Sequence, residues 1–386
     1  MRKTWLKLVA VLACVCLVLV GCSGGSGESV AASTDSGAAS TSESASASGD
    51  GTLDLNSKTL DEIIAAAKEE GHVESVGMPD SWANWGETWT DLTSEYGITH
   101  ADTDMSSAEE LSMFESEGKD AATKDIGDVG LAFTSEAINR DLVQGYKTSY
   151  WDKVPDWAKG ENGLWMIAYT GVTTFIYNTD VSSDPAPTSW ADVRTGTYKL
   201  TIGDVIGGAT GQGNVLATAY AFGGSMDNLD PAFEFWAEMA EAGRIDQGDI
   251  LLNRIQAGEV QLGVTWSYNA LTYRDQTPNY KFNVCVPSDG SILSGYASVI
   301  NKYAPHPNAA ALAREFIFSD EGQINLAKAG AVPTRTDIEI PQEIQDATLQ
   351  QSQYANSIPV TDAAQYADIC AKIGERWSAE IIPLMS

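Results

Sequence analysis

Polar and aromatic residues stand at several points where a predicted strand ends and a helix begins. In open α/β sheets these turns are where ligands bind. Aromatic faces suit an apolar or cationic ligand, whereas hydroxyl and backbone N–H groups at helix N-termini suit an anion. The candidate ligand-binding residues are Asp80, Ser81, Trp82, Thr134, Ser135, Tyr169, Asp204, Thr210, Trp266, Tyr268, Asn269 and Tyr296.

Several of these residues could equally belong to a hydrophobic core. Trp82 could anchor the helix that follows it, and Tyr296 could be buried. Trp266 and Tyr268 alternate along a predicted strand, so only one of them faces a given side. The glycine-rich segment 207–213 could be a flexible turn, and it lacks the Gly-Lys-Ser/Thr of a nucleotide-binding P-loop.

The chemistry of the candidates leaves two ligand classes open. A polyamine-like cation would use Asp80, Asp204 and the tryptophans, because carboxylates and aromatic faces attract ammonium groups. A phosphonate-like anion would use the glycine-rich segment 207–213 together with Thr134 and Ser135. The sequence favours a small polar organic solute of one of these two kinds.

Catalytic signatures are missing from the predicted folded body, residues 58–386. It has no Gly-x-Ser-x-Gly nucleophile motif, no His-Glu-x-x-His zinc motif and no Cys/His cluster. We therefore expect no enzyme activity, no metal site and no cofactor. Acidic residues are plentiful, so a carboxylate pair of the glycosidase kind remains the alternative from another functional class.

The first 22 residues have the pattern of an export signal that ends at a lipidation site. Arg2, Lys3 and Lys7 precede an apolar run at 8–20, which is short for a membrane span. The run ends in Leu-Val-Gly-Cys, which resembles the lipobox of bacterial lipoproteins. We therefore expect a signal peptide at 1–21, removed on export, and a lipid on Cys22 that anchors the protein to the outer face of the membrane.

Residues 22–57 are rich in Ser, Gly, Ala and Thr, without aromatic residues. Such a segment buries too little apolar surface to offset its ordering entropy, so it is predicted to be a disordered linker. The whole chain has a formal net charge of −30. This acidity argues against nucleic acid as a partner. Cys285 and Cys370 could form an extracellular disulfide or be buried separately.

Strand and helix patterns alternate along the body and predict an α/β fold. Thr59 caps a predicted helix at 60–70, which ends at Gly71. A buried strand is predicted at 128–133, and a helix is predicted to begin at Asn214, after the glycine-rich segment.

Four segments, in this order along the chain, resemble the extracellular solute-binding proteins of ABC transporters. They are the crossover 171–180, ending Ile-Tyr-Asn-Thr-Asp, the segment 187–193 (Pro-Thr-Ser-Trp-Ala-Asp-Val), the strand 258–268 and the segment 307–323, ending Ser-Asp-Glu-Gly-Gln. The resemblance extends over nearly the whole body. It is closest to the group that includes polyamine, ferric-ion, thiamine and aminoethylphosphonate binders.

This resemblance implies a two-lobed periplasmic-binding-protein-like fold of type II. Lobe 1 would comprise 58–175 and 291–386, lobe 2 would comprise 176–290, and a ligand cleft would lie between the lobes where strands cross. Ferric-binding relatives use adjacent tyrosines, whereas Tyr268 and Tyr273 are not adjacent here, which disfavours iron.

The resemblance also implies the partners of the chain. The expected partners are a small-molecule solute and an ABC permease with its ATPase, and the protein itself is expected to be a monomer. A sensory binding lipoprotein that reports to a receptor is an alternative that the sequence does not separate from transport.

Overall fold

The computed structural model describes residues 52–182, 184–349 and 351–385. The predicted signal peptide, the lipidation site Cys22 and most of the predicted linker lie outside these residues. Within them, no helix combines the length and the apolar character that crossing a membrane requires.

Strands and helices alternate along the described chain, as an α/β fold requires. The strands are β1 His72–Val76, β2 Thr99–Thr103, β3 Ile126–Gly130, β4 Val143–Gln144, β5 Trp165–Asn178, β6 Leu200–Thr201, β7 Ile245–Asp246, β8 Leu262–Trp266, β9 Phe282–Cys285, β10 Ile292–Asn301, β11 Val332–Pro333 and β12 Ile358–Pro359. The helices are α1 Leu60–Glu70, α2 Trp85–Tyr96, α3 Ser107–Ala121, α4 Thr134–Asn139, α5 Trp190–Thr195, α6 Ala209–Ala221, α7 Asp230–Glu241, α8 Leu252–Gln256, α9 Ser267–Asp275, α10 Pro307–Ile317, α11 Asp320–Lys328, α12 Gln342–Ala347, α13 Gln351–Tyr354 and α14 Ala363–Arg376.

The predicted bounds of helix α1, residues 60–70, are confirmed. Both ends of this helix carry strong local sequence signals. Thr59 and Glu62 form a reciprocal capping box, in which the Thr59 backbone N–H donates to the Glu62 carboxylate at 2.7 Å. Gly71 ends the helix in the left-handed conformation, at φ 69°.

Strand β5 joins two groups of strands, because its two halves pair with different neighbours. Residues 165–172 pair antiparallel with β10, and residues 173–177 pair antiparallel with β8. The resulting strand order is β2-β1-β3-β10-β5-β8-β6-β7. We use lobe 1 for the elements packed on β1, β2, β3 and β10, and lobe 2 for those packed on β6, β7 and β8. The α/β fold with crossing strands that the sequence predicts is therefore present.

Helix α6 begins five residues before the predicted start at Asn214, so the glycine-rich segment is mostly helix rather than a loop. The glycines let this helix pack closely. A Cβ at Gly211 would collide with the Asp204 carbonyl oxygen, and a Cβ at Gly213 would lie 3.1 Å from the Trp266 ring. The sequence prediction was wrong here because tertiary packing outweighs the low helix propensity of glycine.

The strand predicted at 128–133 is shifted toward the N-terminus. Strand β3 covers Ile126–Gly130 and pairs with both β1 and β10, and residues 131–133 form a 3-10 helix that leads directly into α4. Asp128 therefore lies in the middle of a fully buried strand rather than at its start.

The folded body begins earlier than the expected boundary at Lys58. Leu55 is 0% exposed and belongs to the main hydrophobic core. The Asn56 amide donates to the carbonyl groups of Gly145 and Asn162 at 3.3 and 3.0 Å, which ties residues 55–57 to lobe 1. Cys285 and Cys370 are both free thiols, so the disulfide alternative is wrong for this structure.

Candidate functional site

A cleft of about 630 Å³ lies between the two lobes. Its walls meet where the start of α3 faces the loop before α6, since the Ala108 backbone N–H donates to the Gly207 carbonyl oxygen at 3.4 Å. The lining residues are Gly77, Trp82, Asp104, Met105, Ser106, Ser107, Glu109, Glu110, Asp128, Gly203, Asp204, Gly208, Ala209, Thr210, Gln247, Asp249, Ile250, Leu251, Thr265 and Tyr296.

The charged groups of this lining are all acidic. Among the described lining residues there are six carboxylates and no Lys, Arg or His. Lobe 1 provides Asp104, Glu109, Glu110 and Asp128, and lobe 2 provides Asp204 and Asp249. None of the six has an ion-pair partner within the described chain. The cleft therefore attracts positive charge.

Two of these carboxyl groups are deeply buried and adjacent. Glu110 is 1% exposed and Asp128 is 2% exposed. The Asp128 backbone N–H donates to Glu110 Oε2 at 3.0 Å, and the Tyr169 hydroxyl donates to Asp128 Oδ2 at 2.5 Å. Burial raises the pKa of Asp128 to about 8, and burial together with the nearby Asp128 raises the pKa of Glu110 well above its usual range.

Gly77, directly after β1, and Gly127, within β3, leave space for the Glu110 carboxyl group. A Cβ at Gly127 would lie 2.6 Å from Glu110 Oε2, and a Cβ at Gly77 would collide with Glu110 Oε1. Helix α3 holds Glu110 in its first turn, since its N-terminus is fixed by a capping box between Ser106 and Glu109. The local sequence therefore directs Glu110 inward and Glu109 outward.

An aromatic wall forms one side of the cleft. Trp82 and Tyr296 both line it, and their rings meet edge to face with centroids 5.4 Å apart. The Tyr296 hydroxyl lies 3.1 Å from Thr210 Oγ1, which links lobe 1 to the N-terminus of α6 in lobe 2. Aromatic rings beside carboxylates suit an organic cation.

Of the predicted candidates, Trp82, Asp204, Thr210 and Tyr296 line the cleft. Tyr169, Trp266 and Tyr268 form a layer behind them. The Trp82 indole N–H donates to the Tyr169 hydroxyl at 3.0 Å, and that of Trp266 donates to the Tyr296 hydroxyl at 3.3 Å.

The remaining predicted candidates lie elsewhere. Asp80 and Ser81 are in the loop that leads to Trp82, and Asp80 is exposed. Thr134 is buried and donates to the Leu131 carbonyl oxygen at 2.8 Å. Ser135 lines a second cavity between α4 and α14, and Asn269 is buried in α9. None of these five residues lines the cleft.

Sequence reasoning missed most of the acidic lining, namely Asp104, Glu109, Glu110, Asp128 and Asp249. One signal was available, because an Asp inside a strand that is otherwise fully apolar requires a specific partner or a function. The acidic first turn of α3 is also a normal complement to a helix dipole, so it did not stand out. No group of three or more His, Cys, Asp and Glu within 52–182, 184–349 and 351–385 could hold a metal ion.

Residues 123–356 match the family of bacterial extracellular solute-binding proteins. The match spans more than half of the chain. The chain belongs to this family. Its members, and the solved structures that it resembles, are binding proteins rather than enzymes. No curated protein sequence matches the chain.

Three solved structures illustrate the shared fold. AfuA, a periplasmic binding protein from Actinobacillus pleuropneumoniae with fructose-6-phosphate bound, has TM-score 0.65 and 18% identity, over 80% of this chain and 98% of its own. The ferric binding protein from Campylobacter jejuni has TM-score 0.59 and 16% identity, over 80% and 98%. A protein named for spermidine/putrescine transport in Listeria monocytogenes has TM-score 0.59 and 17% identity, over 78% and 98%. At such identities the likeness shows the fold alone, which is the type II binding-protein fold.

Proposed function

We propose that this solute-binding protein captures an organic cation in the cleft between its lobes and delivers it to an ABC permease and its associated ATPase. The observation that carries the proposal is the lining of the cleft, whose described residues include six carboxylates and no basic side chain. A cation entering the cleft gains attraction from both lobes at once. It therefore favours the closed arrangement, in which these carboxylates face each other.

The aromatic wall supports an organic cation over a bare ion. Trp82 and Tyr296 present ring surface beside the buried Asp128. An ammonium group with an alkyl chain would use both features, since its charge meets the carboxylate and its carbons cover the rings.

An anionic ligand finds less support, because carboxylates of the chain already occupy donors that would bind it. Asp204 accepts from the backbone N–H groups of Ile206 and Gly207 at 2.8 and 2.9 Å. Glu109 accepts from the Ser106 backbone N–H at 2.9 Å. A phosphonate would have to enter beside these charges, at a cost in repulsion.

Delivery to the permease requires that the cleft opens and closes. We infer that the two lobes rotate about β5, whose two halves pair in different lobes, and about the segment 286–291 that returns the chain from β9 to β10. The predicted boundary between 175 and 176 lies within β5, and the predicted boundary between 290 and 291 lies directly before β10. The lipid on Cys22 would keep this movement beside the membrane.

The test is a thermal-unfolding screen of the purified protein with spermidine, 1,4-diaminobutane, 2-aminoethylphosphonate and fructose 6-phosphate. A true ligand at a hundred times its Kd stabilises the fold by about 2.7 kcal/mol. We expect this stabilisation with an amine and none with the phosphate ester. Stabilisation by the phosphonate or phosphate alone would overturn the proposal.

A further inference from the structure

We propose that Glu110 and Asp128 form a buried ammonium subsite at the floor of the cleft, which keeps a proton while the cleft is empty and releases it when a cation enters. This inference rests on the proposed function, since it assigns the first contact of the cationic solute. It goes further by making capture dependent on pH.

The geometry of the pair supports a subsite rather than a structural ion pair. Both side chains line the cleft, although both are almost fully buried within the protein. The only hydrogen bond that the Glu110 carboxylate accepts within the described chain is the one from the Asp128 backbone N–H to Oε2. Glu110 Oε1 therefore lacks a donor, and no Lys, Arg or His of the described chain pairs with either residue. A buried carboxylate without a cation is costly unless it is protonated or a cation arrives.

The surroundings of the pair oppose two negative charges in the empty cleft. The adjacent carboxylates repel each other, and Asp102 adds to the repulsion on both. Lys124 acts on Asp102 but is itself paired with Glu74 at 2.9 Å. The titratable groups that face the pair or line the same cleft are Asp102 on β2, Asp104 and Glu109 near the start of α3, Tyr169 on β5, Tyr268 on α9, Tyr296 on β10, and Asp204 and Asp249 in lobe 2.

Binding replaces the proton on the carboxyl group with the ammonium group of the ligand. As the ammonium group approaches, the neutral carboxyl group loses its proton to water, and the carboxylate that results pairs with the cation. The pKa of the pair is high in the empty cleft and low in the complex, so affinity rises with pH through the interval between these two values. For one released proton, the affinity increases about tenfold per pH unit and levels off near the value of about 8 for Asp128.

The empty protein should show the same linkage without any ligand. A carboxyl group whose pKa is raised by folding stabilises the fold most below its unfolded pKa, and this contribution is lost as pH rises through the folded pKa. The stability of the empty protein is therefore expected to fall between about pH 4.5 and pH 8. Glu110→Gln, which cannot ionise, should flatten this fall.

The experiment is titration calorimetry with spermidine at pH 7 in phosphate and in Tris, two buffers with different ionisation enthalpies, together with thermal unfolding of the empty protein from pH 4.5 to 8.5. The variants are Glu110→Gln and Asp128→Asn, which keep the size of the side chains. Glu69→Gln is the matched control, since Glu69 is an exposed carboxylate on α1 outside the cleft. We expect about one proton released per cation by the wild type and by the control, and clearly less by both cleft variants.

The outcomes separate this inference from the proposed function. Spermidine binding with equal enthalpies in both buffers would overturn the inference and leave the proposed function standing. The same holds if Glu110→Gln releases as many protons as the wild type, or if its stability falls with pH as steeply as that of the wild type. If no amine binds to the wild type at all, the inference falls together with the proposed function.

Discussion

The two tryptophans Trp82 and Trp266 show how differently two residues of the same type are used. Trp82 is partly exposed in the cleft, whereas Trp266 is 3% exposed and packs behind Tyr296 with ring centroids 6.4 Å apart. In the proposed function, Trp82 would touch the ligand, whereas Trp266 supports Tyr296 in the wall of the cleft. Substitution of Trp82 should therefore mainly weaken binding, whereas substitution of Trp266 should mainly lower stability.

Trp82→Ala is expected to weaken binding of the cation by about 2- to 30-fold, from the loss of a cation–π contact of about 0.5–2 kcal/mol. Trp266→Ala is expected to reduce the free energy of unfolding by about 3–5 kcal/mol, as for other buried aromatic truncations. Calorimetry measures the first effect and denaturant unfolding the second. If both variants lose stability equally and Trp82→Ala binds normally, Trp82 is a core residue only.

At the residue scale, the sequence pointed to the aromatic residues of the cleft lining more readily than to its carboxylates. Trp82 and Tyr296 stand out because large aromatic side chains have an apolar body and a polar group, which suits either a core or a binding site. Glu110 did not, since the space for its carboxyl group depends on the missing side chains of Gly77 and Gly127, which lie elsewhere in the sequence. A glycine that leaves space for the carboxyl group of a distant residue produces no local sequence pattern around that residue.

At the scale of elements, we expect the contact between β3 and α6 to limit how closely the lobes approach. Gly130 ends β3, and a Cβ there would collide with the Cβ of Ala209 at the start of α6. The backbone of Gly130, at φ −56° and ψ 149°, is one that any residue adopts. A side chain at this position would therefore act by its bulk between the lobes and not by straining the strand.

Gly130→Val is expected to keep both lobes folded but to hold them apart. The affinity for the cation should fall at least tenfold, and the radius of gyration from small-angle X-ray scattering with ligand should stay at its ligand-free value. The control is Gly374→Ala, whose added Cβ would meet nothing nearer than the Ile206 carbonyl oxygen at 3.4 Å. Normal ligand-induced compaction of Gly130→Val would show that the contact does not limit closure.

Elements with local signals were predicted well, and those set by long-range packing were not. Helix α1 was predicted exactly because its capping box and terminal glycine lie within the segment. The length of β5 is set by long-range packing, because β10 and β8 pair with successive halves of one continuous strand. The edge strand β2 was missed, since its residues gain strand structure only by pairing with β1.

At the scale of the whole molecule, the lipid anchor on Cys22 remains a prediction from the sequence. Cys22→Ser is expected to move the protein from the membrane fraction to the soluble fraction of the cells that produce it, because a serine cannot accept the thioether-linked lipid. Fractionation and intact mass measure this. Cys16→Ser is the control, since Cys16 lies in the predicted removed segment and should leave the anchor in place. An unchanged membrane fraction for Cys22→Ser would contradict the prediction.

The cleft carries charge of one sign only, and this also affects the association rate of a cation. Carboxylates on both walls act on a cation before it makes contact, over a distance of about 10 Å at 0.1 M ionic strength. Diffusing cations are thereby guided into the opening, and the association rate falls steeply as salt rises, while the rate of escape from the buried floor changes little. A receptor of this design captures a scarce solute fastest at low ionic strength and slowly at high ionic strength.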